Sequence, residues 1–303
     1  MELIGADTRP AKDSTELLKC FRETNSSTKA FDIKLEDRKK IWESLFKILK
    51  KGDVDAQYEA LNCARILSRD STSINLIISD EMTATLLKLG HIETGVTCQE
   101  DKVNVESLKV LSNLMHGSHQ VQSYCSNNGF LSKLLDKISS YSTLPSSNEA
   151  KIFDFRLLFL FTALRPEQRN IARHNLGAVN TLLAALPPLS STLLTSQDGA
   201  VVCNVLKALF NISLNSSQED TEELVAISRS CRDLVRMRTE DDETCLKVIS
   251  NVVNVVTNME GRLDPLNQLL ETSRLDQPAE PDVSSHGVVV NVLDSFLHLL
   301  QQK

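Results

Sequence analysis

Glycine is scarce and solitary in this chain: ten in 303 residues, with no Gly-x-Gly anywhere. Phosphate cradling needs clustered glycines that let backbone approach the ligand closely, so the dinucleotide and P-loop fingerprints are excluded, and Gly-x-Ser-x-Gly is absent too. Positive charge is also in deficit. Lys and Arg number 33 against 40 Asp and Glu, a net charge of −7, which argues against a nucleic-acid binder. Seven cysteines are an odd, widely spaced set without Cys-x-x-Cys, the usage of a reducing, cytoplasmic compartment. No apolar run approaches the roughly 20 residues of a membrane span, and Met1–Thr8 shows no basic-then-apolar signal. His116 and His119 suggest no third metal ligand. Glu240–Glu243 reads as a helix first-turn charge cluster, not a catalytic dyad. No catalytic residue, metal or cofactor is expected.

What the chain has instead is self-similarity. Leu108-Lys109-Val110-Leu111-Ser112-Asn113-Leu114 returns as Leu206-Lys207-Ala208-Leu209-Phe210-Asn211-Ile212 and as Leu246-Lys247-Val248-Ile249-Ser250-Asn251-Val252. Looser versions begin at Leu61, Leu158 and Leu293. In each copy the apolar residues occupy the first, third, fourth and seventh places, one face of a helix at 3.6 residues per turn. A helical segment recurring about every 45 residues predicts an all-α, armadillo/HEAT-type right-handed superhelical solenoid.

Lys109 and Asn113 are four apart, as are Lys207 and Asn211, and Lys247 and Asn251, so each pair shares a helix face. Stacked repeats would align the pairs into a ladder on the concave surface that solenoids use for binding. The same recurrence would also arise if each Lys were a solvated helix residue and each Asn bonded backbone between stacked repeats. In the copy at Leu158 the Lys–Asn places hold Phe159 and Ala163, so phenylalanines of Phe153–Phe161 are expected to reach the groove there.

Along the chain, residues 1–34 are expected to be a flexible segment with a short helix near Glu16–Phe21, and 35–303 a repeat domain. Gly52 stops an amphipathic helix over 37–51 that packs the lone Trp42 into the N-terminal cap of the solenoid. Helices are expected over 54–69, 72–79, 81–89, 101–117, 120–125, 131–138, 152–165, 178–186, 199–215, 219–237, 243–258 and 288–300. Residues 273–286 form the longest linker. No polar cap follows the last helix, so this end of the solenoid is expected to be truncated or otherwise covered.

Ala64-Arg65-Ile66-Leu67-Ser68-Arg69-Asp70, the stretch from Leu108 to Leu114, Phe153-Asp154-Phe155-Arg156-Leu157-Leu158-Phe159-Leu160-Phe161-Thr162-Ala163-Leu164-Arg165, and Leu206–Ile212 resemble the synembryn (resistance-to-inhibitors-of-cholinesterase) proteins. The resemblance runs in order from about residue 35 to the end. It implies a monomeric cytosolic chaperone and non-receptor guanine-nucleotide exchange factor for heterotrimeric G-protein α subunits, recruited to the cell cortex through that partner and without integral membrane association. It further implies that the groove captures the C-terminal helix of Gα and promotes GDP release. Arg65 and Arg69 match the family's groove arginines and Asn113 a groove asparagine; guanidinium groups suit a terminal carboxylate. Lys109, Phe155, Phe159, Lys207, Asn211, Lys247 and Asn251 join them by the repeat alignment. The alternative is a generic armadillo adaptor without exchange activity. Import-type grooves set Trp beside Asn to hold lysine-rich peptides, whereas this chain has one Trp, outside the repeated helices, and Lys on the groove face.

Overall fold

The structure, a computed structural model, describes residues 3–8, 11–93, 102–143, 146–187, 193–214, 221–235 and 237–258. The linker at 273–286, the helix over 288–300 and Cys98 lie outside the described residues. The chain divides into two compact units, residues 1–168 and 169–303.

The first unit opens with α1 (Ala11–Asn25), α2 (Leu35–Lys51) and α3 (Val54–Leu67). It continues through α4 (Asp80–Leu89), α5 (Lys102–Gly117), α6 (His119–Asn127), α7 (Phe130–Ser139) and α8 (Asn148–Leu164). Short polar residues start these helices, because their side-chain oxygens satisfy an amide left open in the first turn. Asp53 accepts from Ala56 N, Ser79 from Met82 N, Ser118 from Val121 N and Ser147 from Ala150 N. Gly129, at φ +68°, turns the chain into α7 through the left-handed region that glycine enters freely.

Helices α1, α3, α5 and α8 pack side by side in that order, and α2, α4 and α7 each pack against a member of this row. Helix α5 lies between α3 and α8, so Leu108, Val110, Leu111, Leu114 and Met115 are all buried. The helix expected near Glu16–Phe21 is longer, running over Ala11–Asn25. Helix α1 is a 15-residue helix carrying the buried Leu18. Cys63 Sγ donates to the Leu18 carbonyl, and Arg22 grips Glu59. Ser14 donates to the Ala6 carbonyl, tying the chain's start to α1. Trp42 is fully buried and stacks on Phe46 at 6.0 Å.

A buried charge pair, in addition to Arg38 with Asp70, lies inside this unit. Lys137 Nζ sits 2.8 Å from Asp154 Oδ2 and donates to the Gly90 carbonyl at 2.9 Å; Tyr141 Oη donates to the same carboxylate. The apolar helix α8 therefore carries its aspartate inward, where α7 supplies the counter-ion.

The second unit begins within α9 (Glu167–Asn170), which passes into a wide turn at Ile171–Asn175, followed by α10 (Ala178–Ala184), α11 (Ser196–Ser213), α12 (Thr221–Val235) and α13 (Asp242–Asn258). Helix α11 packs on α13, α10 packs on both α11 and α12, and α12 on α13. Their starts are clasped together: Ser196 Oγ donates to Glu240 and Asp241, and Asp241 accepts from Thr244 N. The repeat at Leu246 is not in the register expected. Leu246 is 64% exposed where the leading leucines of α3, α5, α8 and α11 are buried. Helix α13 buries Cys245, Val248, Val252, Val255 and Val256 instead, a stripe displaced around the helix. It packs on α11 and α12, and Leu246 lies outside the buried stripe. No helix among the described residues is long and apolar enough to cross a membrane.

Candidate partner-binding site

Arg65, Lys109 and Asn113 come together in the first unit because α3 and α5 are neighbours. Arg65 lies in the last turn of α3, half-buried, with Nε donating to Glu106 Oε2 at 2.8 Å and Nη2 to Asn62 Oδ1 at 3.0 Å. Lys109 Nζ reaches the other oxygen of Glu106 at 2.5 Å and Glu149 at 2.8 Å, and stands 5.7 Å from the Phe153 ring centroid. Burial works against the charge on Lys109, but the two glutamates outweigh it and hold its pKa above the ordinary lysine range. Asn113 Nδ2 donates to Ser68 Oγ at 2.9 Å and to the Arg65 carbonyl at 3.3 Å. Asn113 thus realises the inter-repeat bond that is the alternative source of the recurrence: it fixes the end of α3 on α5 and fixes the backbone from which Arg65 projects.

Arg69 is exposed and engaged elsewhere. Its Nη1 donates to the carbonyls of Ser26 and Thr28 at 2.6 and 3.3 Å, strapping down the α1–α2 connection. Beside it, Asp70 accepts from Phe31 N and Arg38 Nη1. Phe155 is corrected: at 1% exposure it packs edge-on to Tyr141 in the core and presents nothing to a partner. Along α8 it falls on the buried side with Leu158 and Thr162, whereas Phe159, one helical turn on, is half-buried.

Three of the four residues expected in the second unit, Lys207, Lys247 and Asn251, surround one thiol. Cys203 lies near Lys207 and Lys247 and shares a hydrogen bond with Asn251; burial raises its pKa against the pull of those lysines. Lys207 is exposed, and Lys247 is exposed and paired with Glu243 at 2.5 Å. Asn251 donates to the Lys247 carbonyl within its own helix at 2.8 Å. Asn211 is 4% exposed, so the expectation that it meets a partner is corrected; it lies on the packed side of α11.

Sequence reasoning missed the acidic members. Arg22 of α1 pairs with Glu59 of α3, Arg65 of α3 with Glu106 of α5, and Lys109 of α5 with Glu149 of α8. Each step puts a cation on one helix and a carboxylate on the next. The signal was present in part: Glu59 and Glu106 both stand two residues before a leading leucine. Glu149 has no such place and is found only from the packing.

A family model described as guanine nucleotide exchange factor synembryn matches residues 60–303. Chaperone Ric-8A of Macaca fascicularis is 31% identical, the match covering 95% of this chain and 57% of that protein. Chaperone Ric-8A of Xenopus laevis is 29% identical over 87% of this chain and 53% of its own length. Chaperone Ric-8B of Rattus norvegicus is 29% identical, with 80% and 52% covered. The chain thus spans little more than half the length of these relatives. Among solved structures it is similar to an engineered protein at TM-score 0.65 and 18% identity, covering 86% of this chain and 97% of that one. A designed armadillo repeat protein in complex with the peptide (KR)4 matches at TM-score 0.57 and 16% identity, with 84% and 97% covered. The fold is therefore all-α and of the armadillo-repeat type. With the family model matching residues 60–303 and curated relatives about 30% identical over most of its length, the chain belongs to the synembryn family of guanine nucleotide exchange factors.

Proposed function

We propose that this chain binds heterotrimeric G-protein α subunits, acting as their chaperone and as a non-receptor exchange factor. The α3–α5–α8 face of the first unit receives the C-terminal helix of the subunit. The observation that carries this reading is the Arg65–Lys109–Asn113 cluster, assembled on two neighbouring helices in a chain of this family. Arg65 offers a half-exposed guanidinium for a carboxylate, Lys109 adds a second cation, and the half-buried Phe159 of α8 adds apolar surface. Lys207 and Lys247 offer exposed cations in the second unit. Arg69 acts indirectly, by holding the connection that flanks α3.

The chemistry asked of the protein is non-covalent. Holding the C-terminal helix in a position it does not occupy in the nucleotide-bound subunit favours the nucleotide-free state, and GDP release follows from that difference in affinity. The working place of such a protein is the cytoplasm, with recruitment to the cell cortex through the α subunit.

The test is binding of a fluorescent peptide copied from the Gα C-terminus, alongside Arg65→Gln and Lys109→Met. Loss of about tenfold or more in each variant, with helicity unchanged, supports the reading. Binding unaffected by both variants overturns it. GDP release from the intact α subunit, measured in parallel, separates an exchange factor from an adaptor that only binds.

A further inference from the structure

Two carboxylates sit on Lys109, and they differ in every respect that decides which can leave. Glu106 is 7% exposed in its side chain, and both of its oxygens are used: one by Arg65, the other by Lys109. Its departure would strand two partly buried cations and desolvate its own charge unpaired, which is costly. Glu149 is 58% exposed, and its one ion pair among the described residues is the 2.8 Å bond to Lys109. It lies in the first turn of α8, where the helix dipole favours a negative charge with or without a lysine partner. Released from Lys109, it keeps its water and its place on the helix.

The cluster of Arg65, Lys109, Glu106 and Glu149 is electrically balanced. A balanced cluster exerts little attraction on an approaching anion, yet Lys109 keeps a strong preference for a carboxylate at the position Glu149 fills. We propose that Glu149 is an internal stand-in for the partner's C-terminal carboxylate, seated on Lys109 in the free protein and displaced when a peptide terminus docks on Lys109. This rests on the reading of the α3–α5–α8 face as the partner site. Glu106 stays in place throughout and orients both cations, while Glu149 sets how much affinity the incoming carboxylate must supply. The exchange is like for like at Lys109: one carboxylate oxygen leaves the ammonium and another arrives. The site therefore admits a peptide ending in a free carboxylate and discriminates against one whose terminus carries no charge.

The experiment compares the wild-type chain with Glu149→Gln, which keeps size and hydrogen-bonding capacity but removes the charge. Each is titrated with the Gα C-terminal peptide bearing a free carboxylate and with the same peptide as its C-terminal amide. Relief of the internal competitor should tighten the free-carboxylate peptide by about two- to fivefold, the scale of an exposed ion pair, and leave the amide unchanged. Equal affinity of wild type and E149Q for the free-carboxylate peptide, in a chain whose binding is still lost in K109M, overturns the stand-in and leaves the binding face intact. A gain of the same size for the amide overturns it as well, since the terminus would not be the group competing. Binding by neither chain removes the face and the stand-in together.

Discussion

Cys125 and Cys231 are buried among apolar side chains, and burial pushes each thiol up to about 12; burial acts in the same direction on Cys63. A thiol held protonated is a poor nucleophile. Alkylation of the native protein at neutral pH should therefore label the exposed Cys20 promptly and leave Cys63, Cys125 and Cys231 unlabelled until denaturant is added, as peptide mapping would show. The Lys137–Asp154 pair sets a second expectation. K137M leaves Asp154 in the core without its cation and should cost about 3–5 kcal/mol by urea unfolding, whereas K137M/D154N, which keeps an acceptor for Tyr141, should recover much of that loss. At this scale the sequence is legible where burial follows helical phase and opaque where a polar atom must find a distant partner. Lys109 and Asn113 are put on one helix face by spacing, whereas Arg65 comes from the resemblance to the family. The destination of Asn113 on Ser68, 45 residues back, is fixed by how far α3 slides along α5, and no local pattern encodes that. Phe155 was misplaced for a related reason: in a helix as apolar as α8, hydrophobic pattern does not say which face meets the core.

Among elements, the pairing of α11 with α13 is set by a glycine. A Cβ at position 199 would overlap Thr244 Cγ2, so G199A must push the starts of the two helices apart and should cost about 1–3 kcal/mol, read as a lower melting temperature. Asp70 plays the corresponding part for α2 and α3. Burial works against its charge, but bonds from Thr72, from Phe31 N and from Arg38 outweigh it and hold the carboxyl below the ordinary 3.8. A carboxyl depressed on folding contributes stability that is complete above its unfolded value and is lost as pH falls through its native one. D70N should therefore destabilise the protein by about 3 kcal/mol at neutral pH. The difference from wild type should shrink below about pH 4. Existence and type of the longer helices were legible, because apolar residues recur at helical spacing along most of them. The extent of α1 was not: its apolar residues are few, and it is held by Arg22 on Glu59, an ion pair with no local signature. The register of α13 was not legible either, since the motif matches in letters while the stripe that packs is set by which neighbours are present.

For the molecule as a whole, the row α1–α3–α5–α8 makes protection from solvent a matter of position. Helix α5 has a neighbour on both sides in the row and α1 on one. Amide exchange should accordingly be slowest in α5 and faster in α1, with mass spectrometry of peptides from each as the measurement. The armadillo-type character was legible at this scale, because a period near 45 survives even where single copies drift. What the period could not convey is that the basic face arrives already balanced by carboxylates. The ladder of ion pairs has one more consequence, and it concerns time. Arg22 reaches 37 residues forward to Glu59 and Arg65 reaches 41 to Glu106, while Asn113 and Lys137 reach back 45 and 47 to Ser68 and Gly90. Every one of these bonds joins a helix to material made about one repeat earlier, so the first unit can close each step as the ribosome delivers it, without waiting for the end of the message.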